Sequence, residues 1–149
     1  MAADFTGFLE FTRSGQHNAG RLLEADRWKL LEIEPGRLLV ECHVPDAVLN
    51  LAGSVFGGFT PTYVDFIAIW TCMTTMDGEL SWVSTMNMRI DYFEPLVPPG
   101  FVVEGKVRNR RKRDFLVETT FTDADGRIAA FALTQLRQMG TLAPPDAVK

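Results

Sequence analysis

Between Asp46 and Asp77 the chain carries one ionised side chain, Asp65, inside the segment LNLAGSVFGGFTPTYVDFIAIWTCMTT. An ionised carboxylate buried without partners costs several kcal/mol, so such a group must be paired, neutral or open to a cleft. One reading is an aspartate that hydrogen-bonds a neighbouring threonine or backbone group. The other is an acid, base or nucleophile in an apolar pocket, with a raised pKa. Composition alone leaves both open. The residues upstream add chemistry. Asn50 supplies an amide, a glycine turn follows, and Gly57-Gly58 stands where a helix should start. The first N–H groups of a helix have no internal acceptor and carry the positive end of its dipole. Glycine there lets a ligand approach the backbone, which makes an oxyanion hole for acyl transfer. A helix cap with convenient glycines is the plainer alternative. Gly57 and Asp65 lie eight residues apart, about 12 Å along a continuous helix. One chain cannot bring both to a single carbonyl group. Two antiparallel helices related by a two-fold axis can, so a catalytic role for both requires a dimer with two shared sites.

These residues need elements to hold them. The stretch from about Gly57 to Met76 reads as a helix that is apolar nearly all round, hence central. Pro61 is tolerated in its first turn. Asp65, Pro61, Asn50, the glycines and the threonines argue against a membrane span. Phe59, Tyr63, Phe66 and Trp70 fall at near-helical spacing and belong to the core. The segment from Asp4 to about Glu24 has mixed helical patterning, with Phe5, Phe8, Leu9 and Phe11 as its apolar face. RWKLLEIE and RLLVECHV, joined by Pro35-Gly36, read as a hairpin. His43 shares a strand face with Glu41 and reads as solvent-facing. MDGE ends the central helix with a turn. LSWVSTMNMRIDYFEPL, GFVVEGKVRNRRKR, DFLVETTFTD and RIAAFALTQLRQMG then follow as four strands, with a tight turn at Asp123–Gly126. The tail TLAPPDAVK reads as loose. Short turns between consecutive strands give an antiparallel sheet, and one apolar helix across its face gives an α+β two-layer domain.

The chain has 149 residues, 46% of them hydrophobic and 23% charged, with net charge −4. Those values fit one globular domain with a core of its own. The acidic balance gives no attraction for nucleic acid or an anionic membrane. The N-terminus shows no basic region followed by an apolar run, so no signal peptide is expected. Cys42 and Cys72 have no motif spacing and read as packed thiols of a cytoplasmic protein. His17 and His43 pair with neither cysteine at a ligand spacing, and no metal is expected. RNRRKR, residues 108–113, is the only basic cluster. It is either a solvated turn or a phosphate site, since arginine grips phosphate bidentately.

The pattern Asn50-x-x-Gly53-x-x-Phe56-Gly57-Gly58, with Asp65 on the following helix, resembles the hotdog-fold thioesterases, and among them the phenylacetate-degradation (PaaI-like) acyl-CoA thioesterases. STMNMRIDYFEPLVPPG resembles the family's T-x-x-x-x-x-x-Y-x-x-P strand, and DADGRIAAFALTQLRQM its D-x-D-G-x-x-x-A ending. The likeness spans about Leu38 to Met139. It implies a hotdog fold, with a curved antiparallel sheet wrapped around one long helix, as a single domain over 1–149 with its core at about 26–140. It implies hydrolysis of an acyl-CoA or related thioester, with coenzyme A as part of the substrate and no cofactor. It implies a homodimer, or a dimer of dimers. Asp65 matches the family's general base or nucleophile, Gly57 the N–H that polarises the carbonyl, Asn50 the amide that orients the thioester, and Thr85 the hydroxyl that positions water. Asn50 and Gly57 of one subunit would face Asp65 and Thr85 of the other. Phe56 stands where the family has histidine. Phe56 and Gly58 are expected to touch substrate, and Arg110, Arg111 and Arg113 to meet the coenzyme A phosphates. The alternative is a catalytically silent hotdog domain that binds acyl-CoA as sensor or carrier. A hydratase ranks last, because it needs a histidine beside the acid.

Overall fold

The computed structural model describes residues 18–76 and 81–141. The expected apolar face Phe5–Phe11, most of the MDGE turn and nearly all of the C-terminal tail lie outside the described residues. Of the expected N-terminal helix, the described part contains one short helix, α1 (Asn18–Leu22). The hairpin forms as read, β1 (Lys29–Glu34) and β2 (Arg37–His43), paired from Lys29–Glu41 to Glu34–Arg37. Gly36 turns it with φ +80°, a value that glycine adopts without a Cβ clash.

The central helix, α2, spans Thr60–Met73. It is shorter at both ends than the sequence suggests. Pro61 occupies its second position, and Gly57-Gly58 lie in a turn ahead of it, closed by the Phe59 N–H donating to the Phe56 carbonyl at 2.8 Å. Four long strands follow, β3 (Ser81–Tyr92), β4 (Gly100–Arg111), β5 (Asp114–Thr122) and β6 (Ile128–Thr141). All neighbouring strands are antiparallel, and their spatial order is β1-β2-β4-β5-β6-β3. Chain order is therefore not sheet order. β4 pairs with β2, and β3 crosses to the far edge to pair with β6. Sequence patterning cannot show this, because each strand's alternation fits either neighbour.

Helix α2 lies on the inner face of the sheet. Trp28 stacks on Tyr63 with centroids 5.5 Å apart, and Trp70 meets both Trp28 and Phe66 edge-on. Tyr63 and Phe101 continue the cluster to Phe121. Each such side chain contributes about 1.5–3 kcal/mol by leaving water, enough to fix the helix in rotation. Gly105 of β4 marks the closest approach: a Cβ there would lie 2.1 Å from the Thr71 hydroxyl oxygen. At the helix C-terminus the Thr74 hydroxyl accepts the Gly36 N–H at 2.8 Å. Cys42 and Cys72 are both buried and unpaired. Burial pushes the Cys72 thiol up to about 12 and raises Cys42 well above its ordinary value.

Candidate active site

Rotation of α2 decides what Asp65 can reach. Tyr63, Val64, Phe66, Ile67 and Ala68 are buried, whereas Thr62, Asp65 and Ile69 are half-buried. These three recur at three- and four-residue spacing and form one stripe. The helix is thus not apolar all round. Asp65 lies on its single open stripe, not inside the core. The Thr85 hydroxyl of β3 donates to Asp65 Oδ1 at 2.5 Å. Thr85 sits beside an irregularity in the β3–β6 ladder, between Thr85 and Asn87. Such bulges re-aim side chains. The contact fits both an aspartate that hydrogen-bonds a threonine and the role that the resemblance implies for Thr85.

The Gly57-Gly58 turn is exposed, and so is Phe56 at 55%. The Phe56 ring meets Phe59 edge-on at 6.2 Å and lies over Gly58, whose notional Cβ would be 3.3 Å from it. Among the described residues, the Gly57 and Gly58 N–H groups donate to no backbone carbonyl. The turn is held from two sides. The Val55 N–H donates to the Leu96 carbonyl at 2.7 Å. The Tyr92 hydroxyl donates to the Gly57 carbonyl at 2.7 Å. The sequence reading gave Tyr92 no role, although it falls on the tyrosine of T-x-x-x-x-x-x-Y-x-x-P, which was the available signal.

Asn50 works inside its own loop. Its side-chain oxygen accepts the Ala52 and Ser54 N–H groups at 2.9 and 3.1 Å, and its amide donates to the Ser54 hydroxyl at 3.0 Å. This is an Asx turn, and it shapes the approach to Val55 and Phe56.

The arginines of the basic cluster separate. Arg110 is exposed but bends over the end of α2, donates to the Thr75 carbonyl at 3.1 Å and lies 4.7 Å over the Phe115 ring. It caps the end of α2, where a cation meets the negative end of the dipole. Arg111 lines an outer-face cavity of about 300 Å³ with Asn109, Gln135 and Arg137. Register aligns Arg111, Asp114, Arg137 and Ser84 across four strands, so Arg111 is about 14 Å from β3 at the usual strand spacing. Arg113 is exposed in the turn before β5. Arg108 is paired with Glu118 at 3.2 Å. His43 is half-buried rather than solvent-facing. Its Nε2 lies 2.8 Å from both Glu24 Oε2 and Arg27 Nη1. His17 lies outside the described residues.

A six-stranded antiparallel sheet curved about one long helix is the hotdog fold of thioesterases. The family model of the thioesterase superfamily matches residues 52–130, and the chain belongs to that superfamily. A protein of Saccharolobus solfataricus named as an esterase is 30% identical over 105 residues, 70% of this chain and 74% of its own length. Solved structures share the fold at lower identity. A Streptococcus pneumoniae protein described as a hypothetical thioesterase, solved with coenzyme A, superposes with a TM-score of 0.75 at 15% identity, covering 93% of this chain and 99% of that one. The PaaI protein of the Escherichia coli phenylacetic acid degradation operon gives 0.75 at 14% identity, covering 96% and 100%. Thioesterase superfamily member 2 of Mus musculus gives 0.74 at 22% identity, covering 94% and 100%. Among the described residues, no helix is long and apolar enough to cross a membrane.

Proposed function

We propose that this chain hydrolyses an acyl-CoA or related thioester to free acid and thiol, at a site shared between two copies of itself. The observation that carries the reading is the position of Asp65 on the one open stripe of an otherwise buried helix, where its carboxylate, held by Thr85, can be reached. Membership of the thioesterase superfamily supports the reaction class, and the coenzyme A held by the Streptococcus pneumoniae relative supports the substrate class. In this reading Asp65 acts as general base on water or as nucleophile on the carbonyl carbon. Thr85 holds the carboxylate and positions water. The Gly57 N–H of the partner subunit stabilises the oxyanion as it develops, when such donors act most strongly. The shared geometry is supported by the position of β3, an edge strand of twelve residues. Its open backbone groups are suited to pairing with a second copy, which would set the Thr85 side of each protomer against the other. A dimer, or a dimer of dimers, follows. Phe56, with Gly58 beneath its ring, offers an apolar wall to the acyl group. Arg111 and Arg113 are exposed and, unlike Arg110, are not engaged with the end of α2, so they remain suited to the phosphates. Asn50 serves by shaping the loop that carries Phe56 and Gly57. The single domain over 1–149 belongs to the PaaI-like branch with phenylalanine in place of the motif histidine, and it works in the cytoplasm.

The test is a panel of acyl-CoA thioesters with thiol-release detection, on wild type and Asp65→Asn. General-base steps contribute about 10²–10⁴-fold, so kcat should fall by that order while the fold persists. A wild-type chain inactive on every ester, yet binding them, would replace hydrolysis with the second reading, a silent acyl-CoA sensor or carrier. Phe56 favours that reading, since a phenyl ring cannot supply the hydrogen bonds of an imidazole. Phe56→His then tests whether activity can be raised.

A further inference from the structure

The turn ahead of α2 contains a carbonyl that the helix cannot satisfy. In a continued helix the Gly57 C=O would accept from the N–H four residues on. That residue is Pro61, which has no N–H. Nor does the Thr60 N–H reach it among the described residues. The donor comes instead from the end of β3: the Tyr92 hydroxyl, at 2.7 Å. The preceding carbonyl, Phe56 C=O, accepts the Phe59 N–H at 2.8 Å. Two successive peptide units, Phe56–Gly57 and Gly57–Gly58, thus have their carbonyls tied back into the protein while their N–H groups are given no backbone acceptor. A hydrogen bond to a peptide oxygen polarises that unit and strengthens its N–H as a donor. It also fixes the direction in which the N–H points.

We infer that Tyr92 is a positioning residue of the oxyanion turn: by holding the Gly57 carbonyl it fixes the Gly57–Gly58 peptide, whose N–H is that of Gly58, as a second donor beside the Gly57 N–H that faces the reacting carbonyl. This role rests on the hydrolase reading above. Tyr92 does not touch substrate in it and acts only through Gly57. Its half-exposed ring borders a cleft of about 230 Å³ with Val55, Thr60 and Leu96. β3 therefore carries both Thr85, which holds the carboxylate, and Tyr92, which holds the turn that presents the Gly57 and Gly58 N–H groups.

Tyr92→Phe removes the hydroxyl and keeps the ring. With Asp65→Asn as reference, kcat for a hydrolysed acyl-CoA should fall roughly 3- to 10-fold, the worth of one ordinary hydrogen bond, while KM changes less than about twofold. The amide nitrogen resonance of Gly58 should move in Tyr92→Phe, a local change that a purely structural role of the ring would not produce. Unchanged kcat in Tyr92→Phe, with Asp65→Asn inactive, overturns the positioning role and leaves the hydrolase standing. So does an unmoved Gly58 resonance. A wild-type chain inactive on every thioester overturns the hydrolase and this role together.

Discussion

Thr85→Ala is the sharpest probe of the carboxylate. The hydroxyl donates to Asp65 Oδ1 at 2.5 Å. A hydrogen bond to a charged group is worth about 1.5–3 kcal/mol. Thr85 is exposed, so water recovers part of this in the ground state. During reaction the arriving ester displaces that water, and the full value applies. At about 1.4 kcal/mol per decade, kcat should fall 10- to 100-fold. Stability should change by less than about 0.5 kcal/mol, as for surface substitutions generally. Thr85→Ser keeps the donor and should keep most of the rate. The decisive variant is the double one. If Thr85 acts only through Asp65, then adding Thr85→Ala to Asp65→Asn costs nothing further, because groups that act as one unit are not additive. The assay is thiol release from an acyl-CoA at saturating substrate, with thermal melting as the control for folding. Wild-type kcat in Thr85→Ala would show that the hydroxyl does not act on the carboxylate, and strict additivity in the double variant would show that the two act separately.

Arg111→Ala and Arg113→Ala should raise KM for CoA esters with kcat held, an effect that shrinks with added salt. Arg110→Ala should instead lower the melting temperature by a few degrees, since it frees the end of α2. Gly105→Ala forces a Cβ onto Thr71, and overpacking of this kind costs about 1–3 kcal/mol, read as a lower denaturation midpoint. Glu104 is pushed up by partial burial, but its bonds to Arg37 and Lys106 outweigh this and hold it below its ordinary 4.5. A depressed carboxylate contributes stability that is complete above the unfolded value and is lost as pH falls through the folded one. Glu104→Gln should therefore flatten the loss of melting temperature below about pH 4.5 and leave Arg37 to Glu32 and Glu34.

Helices and strands were legible because their signals are local. The Pro35-Gly36 hairpin, the Asp123–Gly126 turn and the four long strands follow from alternation and turn residues, and Tyr63, Phe66 and Trp70 are buried as their spacing suggests. Two things were not legible. The partner of β3 depends on which sheet edge is open, and alternation says nothing about that. The contacts of Arg110 and Asn50 depend on side-chain direction within a turn: residue types that can bind phosphates and amides can also cap helices and close Asx turns. Asp65 stands out in the sequence by its isolation in an apolar run, but its open stripe is visible only once Trp28 and Trp70 fix the helix rotation.

The crossover of β3 also sets an order of assembly. β4, β5 and β6 form a meander whose partners are sequence neighbours, and each pairing closes only a turn. β3 leaves the chain before them yet pairs only with the last, so it must wait until the whole meander exists. Loop-closure entropy makes such non-local pairing slow. Thr85 meets Asp65, and Tyr92 meets Gly57, only at that step. Refolding should therefore regain its aromatic core, centred on Trp28 and Trp70, before it regains hydrolysis. In the interval β6 presents an unpaired edge, and that edge is where a crowded refolding reaction should lose material to aggregation.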